Sequence, residues 1–135
     1  MDRIDLVEKI LKTHDLQYIV KKGFDEYEKA DFIYYEVTNG THKLGIDIAK
    51  EYTIFFVDWH AHYSFDIEDE FVRDLNDILD NKMCAACSYL NGRAGAAGNY
   101  YAHQLNEEFI EDEFGTGKTV KCYFFDEGLD REFKV

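Results

Sequence analysis

The chain has no proline, one tryptophan and only three cysteines, and no apolar run in it approaches a membrane span. A span needs about 20 consecutive apolar residues, so a helical membrane protein is not expected. With no proline, no low-complexity segment and no internal repeat, nothing marks an interdomain linker, and residues 1–135 read as a single domain. Bases are scarce as well: 15 Lys and Arg stand against 28 Asp and Glu, for a net charge of −13. Contacts to phosphate need a basic surface, so direct nucleic-acid binding and docking on an anionic membrane are both disfavoured. A basic protein partner would be steered in by the same field, although acidity also serves plain solubility.

What is present suffices for a core, since 46% of residues are hydrophobic and 16% aromatic, which argues against global disorder. The opening MDRIDLVEKILKTHDL carries acids and a helical period, unlike the basic start and apolar block of a signal peptide. A cytoplasmic location is expected. Asp2 is placed to cap a first helix ending near His14–Asp15, with Ile4, Leu6, Val7, Ile10 and Leu11 on its apolar side. A short strand LQYIV follows, and GFDEYEKAD reads as an acidic loop.

DFIYYEVT and THKLGIDIA flank Asn39–Gly40, the favoured pair for a tight hairpin turn. A two-residue loop would set Val37 opposite His42, Glu36 opposite Lys43, Tyr35 opposite Leu44 and Ile33 opposite Ile46. A third strand, YTIFFVDWHAHY, returns through a turn at Lys50–Glu51 and sets Ile46 opposite Phe55 and Leu44 opposite Val57. Lys43 would then lie between Glu36 and Asp58, and Phe32, Tyr34, Ile54 and Phe56 would form an outer apolar patch. Asp66 is a candidate cap for an amphipathic helix with Ile67, Phe71, Val72, Leu75, Ile78 and Leu79 on one stripe. After it come a strand KMCAACSYL, a glycine-rich loop NGRAGAAGN with Arg93 as its only charge, a short helix LNEEFIEDEF and a final hairpin turning at Asp126–Gly128. The expected class is α+β: a mostly antiparallel sheet built on an N-terminal β-hairpin meander, with two main helices and a short third.

Five stretches invite a chemical reading. In VDWHAHY, Asp58, His60 and His62 would share one face of a strand, as zinc ligands do, but zinc takes three or four ligands and Lys43 already occupies Asp58. His60 and His62 therefore stand as a candidate metal pair, or as polar residues at a strand end. CAAC has the spacing of zinc knuckles and redox motifs, yet a strand aims Cys84 and Cys87 at opposite faces, which favours buried free thiols. FGTGKTV lacks the first glycine of a phosphate loop, since Asp112 holds that position, and acids precede it, so GTG reads as a helix stop followed by a turn into a strand. The glycine-rich loop is either a mobile ligand contact or a plain connection. The helix LNEEFIEDEF buries Leu105, Phe109, Ile110 and Phe114 and turns out Glu107, Glu108, Glu111, Asp112 and Glu113. That face is either solvated or a dock for lysines and arginines. Glu68, Asp69 and Asp74 of the preceding helix form a second acidic set. No serine or cysteine carries a nucleophile signature, so no catalytic residue and no cofactor is assigned.

A small, acidic, proline-free chain with an opening amphipathic helix, an Asn-Gly hairpin and the strand end Trp59-His60-Ala61-His62-Tyr63 before an acidic helix resembles the immunity proteins of bacterial polymorphic toxin systems. The resemblance covers Asp2 to Leu79. It implies a small cytoplasmic α+β protein that neutralises a cognate toxin, often a nuclease with a basic active site, and it transfers no site residue. Two other readings stand beside it: a metal-binding protein or metal-dependent enzyme using His60 and His62, and a homo-oligomer covering the outer apolar patch.

Overall fold

Asp2 opens the first helix, α1 (Arg3–Thr13), by accepting a hydrogen bond from the Asp5 amide at 2.9 Å, satisfying a donor the first turn leaves free. Val7, Ile10 and Leu11 are its buried side, with Ile4 and Leu6 half-buried beside them. The structure is a computed structural model that describes residues 2–39, 42–57 and 61–135, with 61–63 described by backbone alone.

An antiparallel meander follows in chain order: β1 (Tyr18–Asp25), β2 (Ala30–Val37), β3 (Leu44–Ile48), β4 (Tyr52–Phe56) and β5 (Ala61–Phe65). The expected hairpin meander is there, with changed details. β1 runs on through Gly23–Asp25, which the sequence reading placed in a loop, and pairs with β2 along its length. Asp25 closes that hairpin, its Oδ1 accepting from the amides of Tyr27 at 2.9 Å and Glu28 at 3.1 Å. Between β2 and β3 the register pairs Tyr35 with Ile46 and Ile33 with Ile48, two residues away from the tight-turn expectation. A shift of two keeps every side chain on its face, so Ile33, Tyr35, Val37, Leu44 and Ile46 still line the core side. Gly40 and Thr41 lie outside the described residues.

The next turn takes three residues rather than two, Ala49 to Glu51, with the Ala49 amide donating to the Glu51 carbonyl at 3.1 Å. One extra residue flips a strand over. Leu44 therefore faces Phe56 and Ile46 faces Ile54. Ile54 and Phe56 go to the core, each 0% exposed, and Phe55 takes the outer face instead. The single strand expected over 52–63 is two strands, with Phe56 paired to Ala61 across a connection that begins at Val57. Val57 has φ +56°, a left-handed conformation that β-branched residues seldom adopt.

α2 (Glu68–Leu79) is preceded by Ile67 at the cap position with no side-chain cap, so Asp66 does not cap it, and Ile67 is 51% exposed rather than on the buried stripe. The remaining strands, β6 (Met83–Leu90), β7 (Arg93–Tyr101), β8 (Thr119–Tyr123) and β9 (Arg131–Lys134), form a second antiparallel sheet ordered β7-β6-β8-β9. NGRAGAAGN is thus not a loop. Asn91 and Gly92 both have positive φ, +51° and +79°, making the two-residue turn from which β7 departs as an edge strand. α3 (Glu107–Phe114) is capped by Asn106 and ends at Gly115, φ +88°, where the sequence placed a helix stop.

The layers follow from alternation along β6. Met83 and Ala85 join the core of α1, α2 and the inner face of the first sheet, while Cys84 and Ala86 join Ile110 and Phe114 of α3. α2 thus packs between the two sheets, α1 lies on the inner face of the first, and α3 closes the far side of the second. Among the described residues no helix is long and apolar enough to cross a membrane. Phe71 of α2 locks the first layer: it is 0% exposed, stacks on Tyr52 with ring centroids 4.1 Å apart and meets Phe65 edge-on at 5.9 Å. Phe71→Ala is expected to cost about 3–5 kcal/mol, read as a lowered urea midpoint, with Phe71→Leu losing clearly less.

Candidate functional site

The acidic residues singled out in the sequence fall into two sets on opposite sides of the second sheet, since α2 packs on one face of β6 and α3 on the other. On α3, Ile110 and Phe114 point inward and Glu107, Glu108, Glu111, Asp112 and Glu113 are all exposed. Glu107 and Glu108 lie in the first turn, where the helix dipole favours them. Glu111, Asp112 and Glu113 stand toward the wrong end of that dipole, and Lys118 partly compensates by donating to the Phe114 carbonyl at 2.6 Å. Glu113 accepts from the Tyr100 hydroxyl at 3.1 Å. Glu107 with Glu111, and Glu108 with Asp112, are like charges one helical turn apart, each pair unfavourable by about 0.2–0.5 kcal/mol.

The α2 set is weaker as a surface. Glu68 is held by the Tyr52 hydroxyl at 2.9 Å, and Asp74 turns inward, only 9% exposed, with Arg73 Nε at 2.9 Å. Asp69 alone is exposed with no such tie.

Asp58, Trp59 and His60 lie outside the described residues, and so does the side chain of His62, whose backbone pairs with Phe55. His14 spends both ring nitrogens, on the Ile10 carbonyl at 2.9 Å and on Asp80 at 3.0 Å. His42 reaches Asp130 at 2.7 Å. Among the described residues no group of three or more His, Cys, Asp or Glu could hold a metal ion. Cys84 and Cys87 do face opposite sides of β6, and with Cys122 they are free and buried. The Cys84 thiol is pushed up by its hydrogen bond to Cys122 and by burial.

Sequence reasoning missed two adjoining hollows on the outer face of the first sheet. Gly23, Phe32, Tyr34, Gly45, Asp47, Thr53 and Phe55 all point outward by register. Glycine permits the close approach of a ring at two places: a Cβ on Gly23 would lie 2.7 Å from Phe32, and one on Gly45 would collide with Tyr34. Asp25, Phe32, Tyr34, Asp47 and Phe55 line a cavity of about 320 Å³. A second hollow of about 280 Å³ shares Asp25 and Asp47 and continues past Glu28, Lys50, Glu51, Thr53 and Ser64. Asp47 Oδ1 is sealed from solvent and has no hydrogen-bond partner among the described residues. Burial, then the neighbouring Asp25, raises the Asp47 pKa above its ordinary 3.8, and burial also raises that of Tyr34. The alternation of Gly45 and Asp47 within LGIDI was the available signal, legible only once the face of β3 is known.

No protein-family model, curated protein or solved structure matches the chain.

Two outcomes test this geometry. The thiols of Cys84, Cys87 and Cys122 should all resist a disulfide-exchange reagent in native protein and react on addition of denaturant; fast native labelling would contradict their burial. A carboxyl with a raised folded pKa costs stability above that pKa and none below its unfolded value, near 3.8. Asp47→Asn should therefore melt higher than wild type at pH 7, with the gap closing as pH falls toward 4. Asp25, Glu28, Glu51 and Lys50 stand beside position 47 in both proteins, so the difference reports the Asp47 charge together with its repulsion from Asp25.

Proposed function

We propose that this chain is a non-catalytic, immunity-protein-like binding module, working in the cytoplasm, whose acidic surface docks and neutralises a basic protein partner such as a toxin. The observation that carries this reading is the α3 face. Its apolar stripe is already buried against the second sheet, and Glu107, Glu108, Glu111 and Asp112 are left exposed with their mutual repulsion unrelieved. Repulsion of that kind is relieved by an incoming lysine or arginine, so free energy withheld in the isolated protein is returned on binding. The net charge of −13 adds long-range steering.

The test exploits helix spacing. Glu111→Lys with Asp112→Lys places a lysine four residues after Glu107 and after Glu108, the favoured order for a helical ion pair, at the end of α3 where positive charge suits the dipole. The double variant should keep its melting temperature or gain slightly, by about 0.2–0.5 kcal/mol per pair. Immobilised wild type should retain a basic protein from the native cytoplasm at low salt and shed it near 1 M, where the screening length shrinks to about 3 Å. The folded double variant should retain none of it. Equal capture by both proteins would remove α3 from the interface.

A further inference from the structure

We propose that the outer-face cavity of the first sheet is a receptor for the guanidinium group of an arginine side chain on a protein partner. The source of that arginine rests on the function proposed above, whereas the chemistry of the cavity stands on its own walls.

The walls are of two kinds. Phe32, Tyr34 and Phe55 present aromatic surface, with the Tyr34 and Phe55 ring centroids 6.4 Å apart and tilted by 54°. Asp25 and Asp47 supply carboxylates to the same hollow. Aromatic faces attract cations more strongly than they attract neutral polar groups, and the attraction grows where water is thinned out. The carboxylates need what a cation brings. One Asp25 oxygen is committed to its own turn, through the Tyr27 and Glu28 amides. Among the described residues Asp47 Oδ1 has neither solvent nor a partner, a costly state for a charged group, so the carboxylate has to be balanced from the side on which Asp47 lines the hollow.

Among the described residues no lysine or arginine pairs with Asp25 or Asp47. Lys21, on the same outer face, pairs with Glu36 at 3.5 Å. Lys50 lines the second hollow and, among the described residues, makes no ion pair there. A metal ion is a poor fit, since no three ligating groups converge among the described residues.

Between the two organic cations common in proteins, the cavity suits the flatter. A guanidinium can lie against an aromatic ring while its edge, with five N–H donors in a fixed fork, serves two carboxylates at once. An ammonium is a strongly hydrated point charge that cannot stack. The surrounding acids, Glu28 and Glu51 in the second hollow and Glu36 beside Tyr34, add to the attraction for a positive side chain. They also repel the carboxylate of free arginine.

Amide chemical shifts of the full chain, followed during titration, decide the matter. The probes are Nα-acetyl-arginine amide, its citrulline and lysine counterparts, and free arginine. The arginine amide should give saturable shifts at Gly45, Tyr34, Asp47 and Phe55 in the millimolar range. The neutral citrulline amide should bind at least tenfold more weakly, and the lysine amide and free arginine should fall between. Asp47→Asn should abolish saturation. Phe55→Ala should weaken it severalfold with both carboxylates still in place, so that neither substitution alone has to carry the test. No saturable shift at these residues, or equal binding of arginine and citrulline amides, would overturn the proposal. Lysine amide binding as well as arginine amide would overturn the choice of guanidinium, and free arginine binding as well as the amide would overturn the protein source. The titration contains no partner, so its failure leaves the α3 face untouched, and a failed capture leaves the titration standing.

Discussion

β6 is shut off from water on both faces from Met83 to Ser88, and the arrangement of the other elements answers to that constraint. A strand buried on both sides must be covered twice, once by each neighbouring layer. The residues that meet this demand are small: Cys84, Ala85, Ala86 and Cys87 let α2 approach from one side and α3 from the other. Small side chains contribute little apolar area of their own, so the joint depends on what closes over them. Phe71, Leu75 and Ile78 do so from one layer, Ile110, Phe114 and Phe124 from the other. His42 and Asp130 add a polar tie near the ends of the two sheets, the same Asp130 also accepting from the Phe124 amide at 2.8 Å. In this setting the CAAC spacing is a packing device, its thiols acting as small hydrophobes.

Register in the first sheet shows what local pattern can and cannot determine. The hairpin at β2 and β3 tolerated an error because the connection differed from expectation by an even shift, which leaves core and solvent faces unchanged. The β3–β4 turn did not, because it differs by one residue. Val57 is the harder case. A β-branched residue at positive φ carries no turn signature of the Gly, Asn or Asp kind, so the alternating aromatics of YTIFFVDWHAHY read straight through the end of a strand. The opposite error befell β7, where two glycines and three alanines have poor strand propensity and are held extended by pairing with β6. Asn91–Gly92 was in plain view there as a hairpin turn. The start of α1 and the end of α3 were legible because Asp2 and Gly115 are local chemistry. The α3 acids were legible for the same reason, exposure being set by helical period alone. The cavity was not, because it is assembled from four strands and a one-residue slip removes Phe55 from it.

Acidity in this chain is unevenly committed. Glu8 takes the hydroxyls of Tyr18 and Tyr35 at 3.0 and 3.1 Å, tying α1 to the first sheet, and Glu68 takes that of Tyr52. Tyr101 likewise donates to Asp77 at 3.1 Å, joining the second sheet to α2. These carboxylates are structural, each accepting from a phenol whose own pKa is raised by burial and then by the acid beside it. Tyrosine thereby lets an acidic protein place carboxylates at layer boundaries without matching each to a scarce base. Such boundary acids are spent on the fold. The exposed acids of α3, and Asp47 with Asp25 beside it, are what remains for recognition.

β3 shows why that pair is not an accident of composition. It is the middle strand of five, where packing should favour β-branched and aromatic residues on both faces. Its inner positions, Leu44, Ile46 and Ile48, obey. Its outer positions are Gly45 and Asp47, two of the residue types least suited to a strand, and Gly alone costs about 0.5–1 kcal/mol relative to alanine. Nothing in the interior requires either choice, since both face outward. Gly45 lets Tyr34 lie flat across the sheet, and Asp47 stands beside the ring with an oxygen that no group in the described protein satisfies. Sequences that agree with their fold at most positions break local rules where something other than folding is selected. The middle of this sheet breaks two rules side by side, on one face, at one cavity.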